Sequence, residues 1–474
     1  MMGFPESSTK PELVLKELRE IASKDLDPNS KRMFGHTYDT GLEEVKEVAR
    51  KAFLMFLDKT MLDFTVYPSV LELEREVVRM SASLVGGDDS IIGAFTYGGT
   101  ESIMLAVKAA RDYYKKKGKR LKLILPVTGH PAFVKAAEYL EVSLVKVPVN
   151  NETFKVDIEA VKEEVDSEAV MIVGSAPNYP MGVIDDIGAL SDIAVDKKAW
   201  LHVDACIGGF LLPFLREVGD DIPKFGFELP GVTSLSMDLH KYGYAPRGAS
   251  VVLYRGEEYR LNHIFVHPKW PGYPIVNMAV LSTRSAGPLA ASWLILKSLG
   301  REGYQRLAEK VLYARKRIIE ALSSMDFRVL GDPRGGIVAF TTGKISPTAL
   351  ASSMRKRGWY IQVQPGSRKL GLPKSIHLTI SPAHADVLDN FLRDLEEAKR
   401  EVEESGGISP EEVASLAGLI ESSSVDEVLA LLGVSGGGGG LSDDVLSIID
   451  ELIHYLDPDL VEELLRRAVS KLFT

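Results

Sequence analysis

A lysine that closes an apolar run is the first place where this chain could do covalent chemistry. In Met237-Asp238-Leu239-His240-Lys241-Tyr242-Gly243-Tyr244-Ala245-Pro246-Arg247-Gly248, Lys241 follows a strand-like VTSLSM run and precedes Gly and Pro. That places it on a loop at a strand end, where open α/β sheets hold ligands. Such a lysine is either a plain surface residue or a Schiff-base nucleophile, activated when burial lowers its pKa. Leu201-His202-Val203-Asp204-Ala205-Cys206 puts an aspartate at the end of a second apolar run. A carboxylate there is costly unless it meets a cation. Taken alone, Asp204 is also readable as a helix cap. Pyridoxal 5'-phosphate supplies the cation, because its ring nitrogen needs an acidic partner to stay protonated and accept electrons.

Tyr97-Gly98-Gly99-Thr100-Glu101 feeds two glycines into a helix start. Backbone N–H groups and the helix dipole suit a phosphate there. No GK[ST] follows, and no G-x-G-x-x-G lies between strand and helix, so nucleotide-binding loops are excluded. GGT alone is an ordinary turn. With Asp204 and Lys241 it completes three contacts: phosphate, ring nitrogen and aldehyde. His130 opens a helix after LKLILPV; it either caps and packs, or stacks on a pyridine ring and handles protons near neutral pH. His240 is placed to donate to a cofactor phosphate. His263 and His267 are four apart, but Pro268 and the missing Glu argue against a metal-binding helix, and no metal is assigned.

These residues need strands to carry them. LKLILPV (121–127), VSLVKVPV (142–149), AVMIVGS (169–175), AWLHVDA (199–205) and ASVVLYR (249–255) read as buried strands. Helical spacing fills the stretches 100–117, 131–140, 157–165 and 186–198, with Asp157 and either Asp185 or Asp186 as caps. The alternation predicts a mostly parallel sheet covered on both faces. A long helical region follows over 287–323. Residues 325–400 read as a smaller α/β unit with strands near 335–340 and 375–380 and helices at 346–357 and 384–402. The run Gly436–Gly440 reads as a linker, and two short amphipathic helices broken at Pro458 close the chain. The domains expected are an N-terminal helical segment (1–60), a large cofactor-binding domain (61–310), a small C-terminal α/β domain (311–402) and a helical appendage (403–474).

The 474 residues are 45% hydrophobic and 26% charged, ordinary globular usage that excludes a disordered or fibrous chain. A net charge of −10 argues against a nucleic-acid partner. The basic run KKKGKR at 115–120 reads as a solvated helix C-terminus. A lone cysteine, Cys206, rules out an internal disulfide and fits a reducing cytoplasm. No apolar run approaches the 18 residues of a membrane span.

The segments GGTESI, HPAFVKAA, LHVDACIGGF, VTSLSMDLHKYGYAPRGASVVLY and GREGY resemble sphingosine-1-phosphate lyases, within the pyridoxal phosphate-dependent group II decarboxylase superfamily of fold type I. The likeness runs from about residue 30 to 402. It implies an aminotransferase-like α/β fold: a large domain with a mostly parallel seven-stranded sheet and a smaller C-terminal α/β domain. It also implies that Lys241 binds the cofactor aldehyde, Asp204 the ring nitrogen, and Gly99, Thr100 and His240 the phosphate, with His130 stacked on one face of the ring and Cys206 near the other. The loop at Thr283-Arg284-Ser285 is expected to reach a neighbouring subunit's cofactor, making a homodimer with shared active sites. Tyr38, in FGHTY, matches a tyrosine near the substrate headgroup. Arg247 matches a lysine that contacts substrate phosphate.

Two positions depart from the pattern. Asp63, in LDFTVYPS, stands where the lyases place a histidine on substrate phosphate, and a carboxylate there repels a dianion unless protonated or paired. The expected P-H-G string reads Pro180-Met181-Gly182, which removes a second histidine. The implied activity is retro-aldol cleavage of a phosphorylated long-chain base to a fatty aldehyde and ethanolamine phosphate. Decarboxylation of glutamate, aspartate or tyrosine is the alternative. The eukaryotic lyases carry a membrane anchor that this sequence lacks, so a soluble cytoplasmic enzyme acting on a small-molecule or lipid-phosphate substrate is expected.

Overall fold

Strands that are apolar on both faces form the centre of the molecule. The computed structural model describes residues 3–166, 169–405 and 452–472, with positions 418, 420, 427 and 428 between them. The expected Gly436–Gly440 linker lies outside the described residues. Seven strands make the main sheet: β1 (Ile91–Thr96), β2 (Lys122–Pro126), β3 (Ser143–Val147), β4 (Val170–Ser175), β5 (Trp200–Asp204), β6 (Val232–Met237) and β7 (Ser250–Arg255), in the order β1-β7-β6-β5-β4-β2-β3. Every residue of β4, β5 and β6 is buried. Along β4, Val170 and Ile172 enter one core while Met171 and Val173 enter the other. This is the two-sided burial that a parallel sheet under helices requires. Only β7 runs against its neighbours β1 and β6.

The helices between these strands begin where local chemistry allows. The Asp157 side chain accepts the N–H groups of Glu159 and Ala160 and caps the helix Ile158–Glu164. Asp186 accepts from Ala189 and caps Ile187–Lys197. Its neighbour Asp185 is no cap: it is buried and accepts the Ser175 and Val156 N–H groups, tying β4 to the preceding turn.

After a short hairpin of β8 (Phe265–His267) and β9 (Ile275–Asn277), the long helix Gly287–Ser324 breaks at Gly300, whose φ of 55° is non-helical. It leads into a second, antiparallel sheet of β10 (Arg328–Val329), β11 (Ile337–Thr341), β12 (Gln362–Gln364) and β13 (Ser375–Thr379), in the order β10-β11-β13-β12. The helices Pro347–Lys356 and Leu388–Ser405 belong to this unit, the latter burying Leu388, Phe391, Leu395, Ala398 and Val402 at helical spacing. A buried ion pair joins the two units: Arg315 meets Asp220 at 2.7 Å and donates to the carbonyl of Gly335.

The N-terminal segment is only partly helical. The helix Pro11–Ala22 buries none of its residues. Residues 33–38 instead lie against the small sheet, where Phe34 N–H donates to Tyr360 and Thr379 N–H donates to Phe34. Near the other end, Pro458 is the first residue of the helix Pro458–Leu472.

Candidate active site

β4, β5 and β6 end side by side at their carboxyl edges, in register at Ser175, Asp204 and Ser236. A cavity of about 300 Å³ opens there. Gly99, Thr100, His130, Asp204, Cys206, His240, Lys241 and Arg247 all line it, joined by Tyr97, Tyr179 and Asp238. The structure thus brings together side chains that the sequence spreads over 149 positions, from 99 to 247.

Lys241 lies 3.0 Å from Asp238, and both side chains are largely shielded from water. Burial opposes the lysine's charge, but Asp238, Cys206, Tyr38 and Asp204 together outweigh that penalty and hold its pKa above the ordinary lysine value. The expected direction was the reverse. Burial alone depresses a lysine; here a buried carboxylate placed three residues earlier wins. For Asp238, burial raises the pKa, and Lys241 and His240 more than reverse it, leaving the carboxyl below its usual range. Its Oδ1 is buried without a hydrogen-bond partner among the described residues. Asp238 was missed in the sequence, although it too is a carboxylate ending an apolar strand.

Asp204 is buried at the tip of β5, where its Oδ1 accepts the Cys206 N–H at 3.1 Å. His130 Nδ1 accepts the Ala132 N–H, so its ring proton sits on Nε2. Burial, with a smaller push from Lys241, keeps that imidazole below its ordinary pKa and therefore neutral at pH 7. His240 Nδ1 donates to the Ala249 carbonyl at 2.7 Å, which fixes its ring beside Asp238. Burial pushes the Cys206 thiol up, so it is not a thiolate nucleophile.

The glycine at 99 is dictated by close approach. A Cβ there would stand 2.8 Å from both Asp238 Oδ2 and Cys206 Sγ. The helix Gly99–Lys115 therefore presents a bare N-terminus to the cavity. Glu101, read from the sequence only as a helix opener, reaches back to the Tyr97 N–H and across to those of Val280 and Leu281.

Tyr38 sits close enough to Lys241, Tyr179, Asp238 and Arg247 to feel their charges, and its phenol is pushed up to about 12, burial being the main cause. Arg247 donates to the His36 carbonyl and so tethers FGHTY to the site. Tyr38, Asp63, Thr283 and Ser285 do not line this cavity. Asp63 is exposed and its carboxylate accepts from Thr65 and Val66, which holds it below the usual carboxylate range. Thr283 is exposed, and Ser285 Oγ accepts the Gly287 N–H at the start of the long helix.

The site fits pyridoxal phosphate on its own observations. There is an amine at a strand end, a buried carboxylate on the adjacent strand, and a helix N-terminus kept open by a glycine that no other residue can replace without a clash. Fold and site together define a pyridoxal phosphate-dependent enzyme of fold type I. The family model described as the pyridoxal-dependent decarboxylase conserved domain matches residues 4–342, and the chain belongs to that family. It is similar to a sphingosine-1-phosphate lyase from Dictyostelium discoideum (34% identical, covering 86% of this chain and 76% of the relative). It is also similar to one from Arabidopsis thaliana (40% identical, covering 76% and 67%). Among solved structures, a sphingosine-1-phosphate lyase from Burkholderia pseudomallei matches with a TM-score of 0.78 at 35% identity, covering 85% of this chain and 94% of that one.

Proposed function

We propose that this chain is a pyridoxal phosphate-dependent aldehyde-lyase that cleaves a phosphorylated long-chain base between Cα and Cβ, giving a fatty aldehyde and ethanolamine phosphate. The observation that carries this reading is the presence, in one cavity, of the Lys241 amine, the Asp204 carboxylate and the Arg247 guanidinium. The first two suit amine chemistry; the third offers a seat for a second anion beyond the cofactor's own phosphate. The names of the similar proteins point the same way.

When bound, the cofactor supplies an aldehyde that joins the substrate amine and a ring that takes up the electron pair released at Cα. Lys241 Nζ is the amine that would hold that aldehyde. Asp204 would keep the proton on the ring nitrogen. The neutral His130 offers a flat face to the ring, and Gly99, Thr100 and His240 would hold the phosphate. Cys206 closes the site from the side of β5. Tyr38, protonated at pH 7, and Lys241 would move protons at the substrate's hydroxyl and at Cα.

Shared sites in a cytoplasmic homodimer complete the proposal. Val280 and Leu281 are about half exposed (55% and 49%), and Glu101 ties both to the helix that opens the cavity. Exposed apolar side chains beside a site suit a protein partner. The helix Pro11–Ala22, with Leu18 and Ile21 exposed, offers a second such face. In the assembled dimer Thr283 and Ser285 would approach the neighbouring cofactor, and Asp63 the neighbouring substrate. No helix among the described residues is long and apolar enough to cross a membrane.

The test is a product assay on the cofactor-loaded protein. Sphingosine-1-phosphate should yield aldehyde and ethanolamine phosphate, while glutamate, aspartate and tyrosine should yield no CO₂. CO₂ from one amino acid with no aldehyde would replace the lyase with a decarboxylase.

A further inference from the structure

The C-terminal appendage packs on an apolar cluster of Ile420, Val428, Leu452, Leu456 and Leu464. Among the described residues no side chain before 420 enters that cluster, so the appendage has a small core of its own. It touches the rest of the protein at the tip of the hairpin that joins β12 to β13. There His454 Nδ1 donates to the Pro365 carbonyl at 2.7 Å, and the Arg368 guanidinium lies over the Tyr455 ring at 5.2 Å. The tip is closed by Ser367 and Leu372, which exchange backbone hydrogen bonds of 2.8 and 2.9 Å. From there the hairpin reaches inward. Leu372 packs against a cluster of Phe154, Met181, Val183, Leu330 and Ala339. Gln364 Nε2 donates to the Pro180 carbonyl at 2.7 Å, and Gln362 Oε1 accepts the Tyr179 hydroxyl at 2.6 Å. The turn 178–182 is thus held by the hairpin. Tyr179 of that turn lines the cavity, whereas Met181, standing where a histidine was expected, is buried in the cluster and does not.

We propose that the appendage is a strap: by holding the hairpin tip it keeps the Tyr179 wall closed, and its release widens the cavity for bulky molecules. The inference concerns access and holds whichever reaction follows. The hairpin has two ends of different strength. β13 is buried inside the small sheet, between β11 and β12, and its His377 stacks on Tyr179 at 4.4 Å. β12 spans three residues at the sheet edge and has a strand on one side only, and Arg368–Gly371 at the tip are exposed. A short edge strand that ends in an exposed loop belongs to the part of a fold that opens at low cost. Contacts added at such a loop act on opening more than they would in a central strand, because little else holds it. A strap also has to let go as a unit, and a separate apolar core allows the appendage to leave the hairpin without unfolding the domains beneath it.

The experiment compares the wild type with full-length Tyr455→Leu and with full-length His454→Ala/Tyr455→Leu, all loaded with cofactor. Tryptic cutting at Arg368 and Lys369, identified by fragment mass, measures opening of the tip. Entry to the cavity is read as the rate at which phenylhydrazine bleaches the visible absorbance of the bound cofactor, beside the much smaller hydroxylamine. The double variant should speed both cutting and phenylhydrazine entry about tenfold, the size of one hydrogen bond and one cation–π contact together. Tyr455→Leu alone should speed them about threefold. A chain ending at Ser405 should match the double variant, and hydroxylamine should react alike in every case. Faster cutting with unchanged phenylhydrazine entry would show that the appendage holds the tip but not the wall, and overturns the inference. So does a double variant that behaves as wild type in both measurements. Loss of the bound-cofactor absorbance in the double variant would make the appendage part of the fold rather than a strap, and overturns it as well.

Discussion

Asp238 Oδ2 stands 3.0 Å from Lys241 Nζ, and the other oxygen of that carboxylate is buried without a hydrogen-bond partner among the described residues. The pair keeps the amine charged, and a charged amine does not attack an aldehyde. Asp238→Asn should therefore lower the Lys241 pKa and move cofactor capture to lower pH, followed as growth of visible absorbance after mixing. Breaking a largely buried pair should also cost about 3–5 kcal/mol in urea unfolding of the cofactor-free protein. An unchanged pH profile for capture would separate Asp238 from the control of Lys241.

Lys241→Ala removes the amine itself. Turnover and the colour of the lysine-bound cofactor should both vanish while the fold persists in circular dichroism. A variant that keeps that colour would move the attachment point elsewhere.

Gly99→Ala places a methyl 2.8 Å from Asp238 Oδ2 and Cys206 Sγ. Both neighbours are buried and cannot retreat. Cofactor affinity in an absorbance titration should fall about tenfold or more, equivalent to about 1.4 kcal/mol.

Tyr242 joins the active-site loop to the small sheet. Its hydroxyl lies 2.7 Å from the Ile380 carbonyl and 3.1 Å from that of Gly336, and a Cβ on Gly336 would overlap it. Tyr242→Phe leaves buried acceptors short of their donor. The expected cost is about 1–3 kcal/mol, read as a lower urea midpoint.

Acid should unfold the protein early. His202, His263, His377 and His384 are buried, and burial first of all depresses each to about 4. Their folded pKa lies below the unfolded one, so the stability they contribute is present above about 6.5 and lost as pH falls toward 4. Asp185, raised by burial to about 6, has the opposite sign and offsets one of them. Unfolding near pH 5 should then take up about two to three protons, and the urea midpoint should drop steeply from pH 7 to pH 5. A midpoint flat across that window would contradict the burial of these rings.

Much of the fold was legible because β2, β4 and β7 are dominated by apolar residues and two of the intervening helices carry Asp caps. Legibility fell where periodicity is short. β1 contains two adjacent isoleucines and a glycine, IIGAFT, with no alternation to read, and β10 and β12 span two and three residues. Within the site, Lys241, Asp204 and the glycines stood out because charge or flexibility at a strand end needs a reason. Asp238 has the same signature but was masked by the more conspicuous lysine beside it. Tyr179 gave no signal at all: a tyrosine in a turn becomes informative only once β12 and β13 are seen to close over it. The direction of the Lys241 shift was also beyond reach, since it depends on the contest between desolvation and a carboxylate whose proximity only the fold reveals.

Phe34 pairs with Tyr360 and Thr379, so the strip bearing His36 and Tyr38 is held by backbone made more than 300 residues later. On a ribosome that strip must wait, unpaired, until the last strand of the small sheet has emerged. A nascent chain stopped short of residue 379 would own the lysine and the aspartate yet lack one of the two backbone contacts that fasten this strip.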